Sequence, residues 1–579
     1  MSVAIPDRTV RHAIHGEAVL RAALLSMYAA FLALSVLYPM LQVALRSVQD
    51  GQGRFVGAAN YLRYFSTPAI AASITNSLAV AASTTLLTVI LSFVYAYALT
   101  RTTMPLRGVF RLVIMLPIFA PSLVQGIAFI YVFGNNGLVT RWTGVNVGIY
   151  GFKGILLAET FYALPHAVLI LVAALGAADA RLYDAASALG ASRTKTFFTV
   201  TLPGVKYGLM SACFVVFTLV ITDFGVPKVI GGKYSVMATE IYNQVIGQQN
   251  FTMGATVSVV LLIPAAVAMV VDRLVQRRQY ALLTASSVPL RPQPHGARDA
   301  ALVAYCGLVA GGIATIYLVI LASSLATRWP YNFALTTKHY RFDTVGGYTA
   351  LVNSLEAAAL AAVGGTVLAF AGAYLVEKCR TVASGPLYVL SVLPVSVPGM
   401  VLGLAYIFTF NAPGSPLNAL YGTLAILVIS HLVHYFTVPF LSATAALKQM
   451  DPEFERVSAS LGVPFYRTMW RVTVPVALPQ IVALSMYFFL NAMVTLSAAV
   501  FLVAPGTELA AVAVLLMDDA GDTAQAAAMS VLIIAIGLGV RLLYAWLMRG
   551  VTRRTQAWQR EPQAGLRPRR AVRWFGKSR

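Results

Sequence analysis

Twelve long apolar blocks dominate this chain of 579 residues and restrict what it can fold into. A helix needs about 20 consecutive apolar residues to cross the hydrocarbon core of a bilayer. Of all residues 58% are hydrophobic and only 11% are charged, which is too little polar surface to cover a soluble globule. The blocks lie near 22–44, 76–100, 110–133, 151–175, 208–230, 252–271, 301–325, 353–376, 386–410, 420–445, 476–502 and 523–548. The sequence therefore predicts an all-α polytopic membrane protein with about 12 transmembrane helices.

The basic residues predict the orientation. Lys and Arg outnumber Asp and Glu by 42 to 21, and most of them fall in alternate loops between the blocks, as expected of cytoplasmic loops. This distribution speaks against nucleic-acid binding and predicts that both termini are cytoplasmic. The loop 46–75 is an exception with three arginines, and the number of preceding spans places it outside. We expect the first block to be retained as a span, since it is longer than the apolar part of a cleaved signal.

The chain contains an internal duplication. NSLAVAAS begins at Asn76 and NSLEAAAL begins at Asn353, an offset of 277 residues. The same offset relates Tyr97/Tyr374, Pro117/Pro394, Pro121/Pro398 and Gly126/Gly403. Each copy holds six blocks, so both copies have the same orientation and form parallel repeats. We predict a first repeat at 1–272, a cytoplasmic linker at 273–299, a second repeat at 300–548 and a basic cytoplasmic tail at 549–579, which could contact lipid headgroups.

A short polar segment follows the fourth block of each repeat. DAASALGASRTKTFFTVTLP begins at Asp184, and RVSASLGVPFYRTMWRVTVP begins at Arg456, an offset of 272 residues. Each segment predicts two short helices. A glycine that can adopt a positive φ separates them, Ser192 caps the second helix of the first copy, and Pro203 or Pro475 ends that second helix before the next span.

These two segments, which we term the coupling loops (179–203 and 451–475), resemble the cytoplasmic loop of permease subunits in bacterial ATP-binding-cassette importers. The residues Asp184, Ala185, Ala186, Gly190 and Pro203 match that pattern, with Asp in place of the usual Glu. The resemblance implies a helix that seats in a groove of a separate ATPase subunit. It covers nearly the whole chain.

The second coupling loop departs from the pattern. Gly462 and Pro475 match, but Arg456 stands at the acidic position and Glu455 lies one residue early. The departure predicts unequal contacts with two copies of the ATPase. The resemblance further implies a periplasmic or lipid-anchored substrate-binding protein as a partner and a location in the bacterial inner membrane.

No motif in the sequence indicates catalysis. The phosphate-binding loop GxxxxGK[ST], the nucleophile elbow and HExxH are all absent. The three cysteines show no metal-binding spacing. We therefore expect no catalytic residues, no metal site and no cofactor on this chain, with ATP and Mg²⁺ bound by the partner ATPase.

Polar residues within the blocks are candidates for the translocation pathway, because ionisable groups are costly in a membrane. Asp223, in TDFGVP, is expected to break the fifth block near the outer half of the membrane. The remaining candidates are Glu159, His431, His434 and Asn491. Packing between helices is the alternative role for each of them.

The sequence indicates the class of transporter more clearly than it indicates the substrate. Fused double permeases resemble the iron(III), thiamine and 2-aminoethylphosphonate importers, and the segment TDFGVPKVIGG is most similar to the aminoethylphosphonate branch. Ferric iron, which would favour acids or tyrosines in the pathway, and thiamine are the alternatives. An ion-gradient-driven transporter with six plus six helices is a competing class, and a membrane-embedded enzyme is a third.

Overall fold

The computed structural model describes residues 8–555 apart from 281–287, 289, 291, 343–345, 380 and 413. Ten of the described helices are long and apolar enough to cross a membrane, or up to 12 if each of two bent pairs is one span. A small antiparallel hairpin pairs strands Ala326–Arg328 and Asn332–Leu335. The predicted polytopic helical class is confirmed. Residues 281–287 of the predicted linker and 556–579 of the predicted tail lie outside the described residues.

The helix bounds follow the duplication. In the first half the α-helices are Arg8–Leu32, Tyr38–Ser47, Ala59–Ser66, Pro68–Arg101, Arg107–Val113, Ser122–Phe133, Leu138–Thr143, Phe152–Gly176, Ala180–Ala188, Arg193–Thr196, Leu202–Thr222, Gly225–Ile230, Met237–Tyr242 and Phe251–Tyr280. In the second half they are Gly296–Leu325, Gly347–Glu377, Ser384–Val392, Gly399–Phe410, Leu424–His434, Thr437–Gln449, Glu453–Ser460, Phe465–Thr468, Val474–Val494, Ala510–Asp519 and Thr523–Thr555.

Several predicted spans are not single helices. The blocks at 110–133 and 386–410 each contain two prolines four residues apart, Pro117/Pro121 and Pro394/Pro398, and each block is interrupted there by a short 3₁₀ turn, Leu116–Phe119 or Leu393–Ser396. The second interruption bends the chain by 112°. Continuous helices were the wrong expectation, because proline lacks the amide donor and its ring clashes with the preceding turn. The block at 420–445 is likewise bent, by 52°.

The fifth and eleventh blocks end early in the same way. The helices stop at Thr222 and Val494, and Asp223 and Thr495 that follow them are extended, with ψ of 139° and 124°. The predicted break at Asp223 is confirmed. The predicted span to 502 is too long, because the chain turns back at Thr495 as its counterpart does at Asp223.

The first span of each repeat packs against the other repeat. Tyr28 lies 2.6 Å (Oη to Oγ) from Ser391, and the Tyr406 hydroxyl donates to the Ser35 carbonyl at 2.9 Å. In the reverse direction the Tyr305 hydroxyl donates to the Leu91 carbonyl at 2.7 Å. The two repeats are therefore interlocked.

Matched hydrogen bonds establish the repeat in three dimensions. The Asn76 amide donates to the Ser235 carbonyl at 2.9 Å, and the Asn353 amide donates to the Glu508 carbonyl at 3.1 Å. The serine after each asparagine accepts from the first residue of a short helix, with N to Oγ distances of 2.8 and 2.7 Å. The duplicated Asn-Ser pair thus fastens the returning loop of each repeat.

Candidate functional site

The first coupling loop has the predicted helix–turn–helix form. Asp179 begins it by accepting a hydrogen bond from the Arg181 amide at 3.1 Å, and the helix Ala180–Ala188 follows. Gly190 has a φ of +68°, and the Ser192 hydroxyl then accepts from the Lys195 amide at 3.2 Å. The predicted left-handed glycine and serine cap are both present.

The second coupling loop repeats this geometry with different residues. The Asp451 carboxylate accepts from the Glu453 amide at 2.9 Å, and the helix Glu453–Ser460 follows. Gly462 has a φ of +65°, close to that of Gly190. Both loops therefore turn through a residue in a conformation that disfavours any side chain with a Cβ.

Pro203 and Pro475 do not end the helices in which they lie. Uninterrupted helices run over Arg193–Thr222 and Phe465–Val494. A π-helical turn precedes each proline, and the Leu202 amide donates to the Phe197 carbonyl five residues back. The wider turn accommodates the proline ring, which is why the predicted helix ends are wrong. Each coupling loop is thereby joined rigidly to the span that follows it.

A second connection ties each coupling loop to the span that ends beside it. The Arg101 guanidinium lies over the Tyr183 ring, 5.1 Å from its centre, and donates to the Leu175 carbonyl at 2.9 Å. In the other repeat, Lys378 forms an ion pair with Glu455 at 3.1 Å. These four residues occupy equivalent positions under the offsets of 277 and 272. The Glu455 carboxylate is therefore paired with Lys378 of this same chain.

The outward faces of the coupling helices carry matched apolar side chains. Leu182 and Leu189 are 58% and 86% exposed, and their counterparts Phe454 and Leu461 are 47% and 72% exposed. Asp184, Ala185 and Arg456 are exposed on the same helices, whereas Ala186 is buried. We term Leu182, Leu189, Phe454 and Leu461 the docking residues.

The two loops differ in what supports them from inside the chain. At the first loop the Ala180 amide donates to the carbonyl of Val288 in the linker at 2.9 Å. At the second loop the Phe465 amide donates to Glu17 at 3.3 Å, and the Arg21 guanidinium lies 5.2 Å from the centre of the Phe465 ring. The supporting contacts come from parts of the chain outside the duplicated blocks.

A polar cluster lies where the two repeats meet within the membrane. Glu159 is fully buried, and its carboxyl group lies within hydrogen-bonding reach of the Asp223 carboxyl. Tyr162, one turn after Glu159, is close enough to both carboxyl groups to interact electrostatically. We term Glu159, Asp223, Tyr162, Tyr435 and Tyr487 the inter-repeat cluster.

The second repeat contributes two phenols to this cluster. Tyr435 and Tyr487 both lie within interaction range of Tyr162, and their ring centres are 6.3 Å apart. Tyr435 accepts a hydrogen bond from the Thr495 hydroxyl at 2.8 Å. Tyr162, Asp223, Tyr435 and Tyr487 are all half-buried, so each keeps part of its surface accessible.

The five residues that the sequence predicts for the pathway do not all lie together in the structure. Glu159 and Asp223 meet in the cluster. His434 stacks edge-on against Tyr435, with ring centres 4.7 Å apart, and the Asn491 amide donates within its own helix to the Tyr487 carbonyl at 2.8 Å. His431 is buried among helices. Among the described residues, no group of three or more His, Cys, Asp and Glu side chains is arranged to hold a metal ion.

Sequence reasoning missed the three tyrosines. Tyrosine is common in this chain, with 27 copies, so composition did not single them out. Tyr162 carried a local signal, since it lies three residues after Glu159 and therefore on the same helix face. Tyr435 and Tyr487 carried none, because their place beside Tyr162 depends on the packing of one repeat against the other.

Two parallel helical repeats with matched coupling loops and a polar cluster between them are the features expected of a membrane permease. The profile described as binding-protein-dependent transport system inner membrane component matches residues 89–280 and 355–553, which is more than half of the chain and includes both coupling loops. The chain belongs to this family. It is therefore a multi-pass permease component of an ABC importer.

Individual relatives agree with this class. The chain is 26% identical over 528 residues to the ferric transport system permease protein FbpB of Actinobacillus pleuropneumoniae, which covers 89% of this chain and 76% of that protein. It is 27% identical over 490 residues to a putative ferric transport system permease protein of Haemophilus influenzae, covering 82% and 76%. A molybdenum transport system permease protein ModB of Azotobacter vinelandii is 32% identical but covers only 30% of this chain and 80% of its own length.

Proposed function

We propose that this chain forms the passage for ferric ions in an ATP-driven importer. The observation that carries the proposal is the extent of the similarity. The relatives named above that span both repeats are named for ferric transport, whereas the molybdenum permease matches a length of about one repeat. The expected aminoethylphosphonate substrate, and thiamine, receive no support from these relatives.

The chemistry of the inter-repeat cluster favours the same choice. Carboxylate and phenolate oxygens are hard donors, which suit small, highly charged cations. A phosphonate or molybdate anion would be repelled by the adjacent carboxyl groups of Glu159 and Asp223. A passage lined in this way suits a cation.

The coupling loops supply the means of driving transport. The docking residues present an apolar pair seven residues apart on each loop, and an exposed apolar pair in a polar loop suits a groove on a soluble partner. Two such loops imply two copies of a cytoplasmic ATPase subunit, with ATP and Mg²⁺ bound there. The positive-inside rule favours a cytoplasmic position for these loops and for both termini. A substrate-binding protein would deliver the ion from the periplasm.

The test is uptake of radioactive iron(III) by proteoliposomes that contain this chain, the ATPase subunit and the binding protein encoded beside it. Uptake is expected only with ATP inside, where the coupling loops meet the ATPase, and with the loaded binding protein outside. Iron uptake driven by an ion gradient without the ATPase would overturn the importer mechanism. ATP-dependent uptake of a phosphonate but not of iron would overturn the substrate.

A further inference from the structure

Glu159 is a buried acid that the fold does not explain. It lies within the helix Phe152–Gly176, none of its surface is exposed, and apart from the adjacent Asp223 carboxyl neither of its carboxylate oxygens has a hydrogen-bond partner among the described residues. An isolated buried carboxylate costs several kcal/mol. Its neighbour Asp223 is also an acceptor when ionised, so without a bound cation the two adjacent carboxyl groups have to share a proton.

Asp223 itself is held in place by the backbone. Its carboxylate accepts from the Val226 amide at 2.9 Å and so caps the short helix Gly225–Ile230. The hydroxyl of Ser122 lies close to the same carboxyl group. Asp223 is therefore held by the Val226 amide while its carboxyl group lies within reach of Glu159, as a positioned ligand would be.

Tyr162 completes a set of charges that matches a trivalent cation. Two carboxylates and one phenolate carry three negative charges in total. A phenol gives up its proton only to a strong Lewis acid, so a divalent ion would be matched by the two carboxylates alone. On binding, the Tyr162 oxygen and the two carboxyl groups form bonds to the metal, and the phenol proton and the proton shared by the carboxyl groups pass to water.

We propose that Glu159, Asp223 and Tyr162 form a transient ligand site for the ferric ion within the passage, which Tyr435 and Tyr487 complete from the second repeat. The site rests on the proposed substrate and adds to it a location and a ligand set. Because its ligands come from both repeats, the affinity of the site depends on how the two repeats are positioned relative to each other. Movement of one repeat against the other would withdraw phenols and weaken binding, as release to the next compartment requires.

The experiment is a titration of the purified full-length chain in lipid nanodiscs with iron(III) nitrilotriacetate. A ferric ion bound to a phenolate gives a visible charge-transfer absorption band, which reports tyrosine ligation directly. A saturable band is expected in the unmodified chain. Glu159→Gln, which conserves the side-chain shape, is expected to weaken binding by about tenfold or more, and Tyr162→Phe is expected to reduce the band.

Glu240→Gln is the matched control. Glu240 is also a buried acid of the first repeat, but it has partners, since it accepts from the Gln244 amide at 2.8 Å and from the Ser235 hydroxyl at 3.1 Å. This variant is expected to bind iron like the unmodified chain. Retention of the full band in Glu159→Gln and in Tyr162→Phe would overturn the site, as would the absence of a band in the unmodified chain.

Uptake assays separate this site from the proposed function. A band that Glu159→Gln weakens, in a chain that fails to import iron with ATP, supports the site and contradicts the function. ATP-dependent iron uptake that is undiminished in Glu159→Gln, Asp223→Asn and Tyr162→Phe supports the function and contradicts the site.

Discussion

Ser122 and Gly225 meet so closely that a Cβ on Gly225 would overlap the hydroxyl oxygen of Ser122. The second repeat makes the same contact with the residues exchanged, since Gly399 stands at the position of Ser122 and Ser497 stands at the position of Gly225. In each repeat the contact has space for only one serine side chain, so the residue opposite it is glycine. In the first repeat the contact joins the helix Ser122–Phe133 to the start of the short helix Gly225–Ile230.

The first prediction is a compensating pair at this contact. Gly225→Ser alone should destabilise the chain by roughly 1–3 kcal/mol through overpacking. Adding Ser122→Gly recreates the arrangement of the second repeat and should recover part of this loss, with an interaction energy of about 0.5–3 kcal/mol. Thermal unfolding of the detergent-solubilised chain measures both effects. Gly204→Ala, where a Cβ would have no neighbour within 4 Å, is the control and should be neutral or slightly stabilising.

The second prediction concerns the contacts between the coupling loops and the neighbouring spans. Tyr183→Leu removes the cation–π contact with Arg101, and Glu455→Gln removes the ion pair with Lys378. Each contact contributes about 1 kcal/mol or less, so the folded state should persist. The expected change is fewer ions transported per ATP hydrolysed, because the loop can move without the span. Tyr183→Phe keeps the ring and serves as the control; an unchanged ratio in both test variants would contradict the role.

The third prediction uses the positive φ of Gly190 and Gly462. Proline cannot adopt this conformation, so Gly190→Pro and Gly462→Pro should displace the loops and uncouple ATP hydrolysis from transport while the spans still insert. Alanine should cost about 1–2 kcal/mol locally, and asparagine should be tolerated best. Transport and ATPase activity measured together, with expression in the membrane as reference, test this order. Normal transport in both proline variants would refute the coupling role.

The duplication explains why so much of the fold was predictable. The apolar blocks, the Asn-Ser pair at 76 and 353 and the glycines at 190 and 462 are local patterns, and each has the structural role that its chemistry indicates. Several errors occurred at prolines, whereas the eleventh block ends early at Thr495 without a proline nearby. Pro117 and Pro121 break a block that hydropathy alone presents as continuous, whereas Pro203 is absorbed by a π-helical turn. A hydropathy profile does not distinguish these two outcomes.

The polar cluster was only half predictable. Glu159 and Asp223 stood out because acids are rare in apolar blocks, but their contact joins residues 64 positions apart on different helices. Tyr435 and Tyr487 reach them from the other repeat. No periodicity in one sequence encodes the position of one repeat against the other, so this part of the site required the packed structure.

The fourth prediction concerns pH. Burial, and secondly the charge of Asp519, raise the pKa of Asp518 from 3.8 to about 6. The folded chain therefore holds this proton more tightly than the unfolded chain. The contribution of Asp518 to stability is greatest below pH 3.8 and is lost as the pH rises through about 6. It amounts to about 3 kcal/mol at most.

The variant Asp518→Asn tests whether an uncharged side chain at this position stabilises the folded chain. The variant should unfold at a higher temperature than the unmodified chain at pH 7, and the difference should shrink as the pH falls towards 4. Asp184→Asn, at an exposed acid, is the control. A variant that is less stable than the unmodified chain at pH 7 would show that the charged form of Asp518 is favourable.

The fifth prediction addresses the docking residues. Leu189 and Leu461 contact solvent over most of their surface, so glutamate at either position should leave the folded chain intact. If each leucine fills a groove of an ATPase subunit, Leu189→Glu and Leu461→Glu should each weaken the complex by placing a charge in an apolar contact. The double variant should lose both subunits, which co-purification and size-exclusion chromatography measure. The matched control is Ser187→Glu, at an exposed position on the first coupling helix. Leu308→Glu is unsuitable as a control, because Leu308 is an exposed leucine of a span and the change would disturb insertion. Binding of both ATPase copies to the double leucine variant would show that these side chains are not the contact.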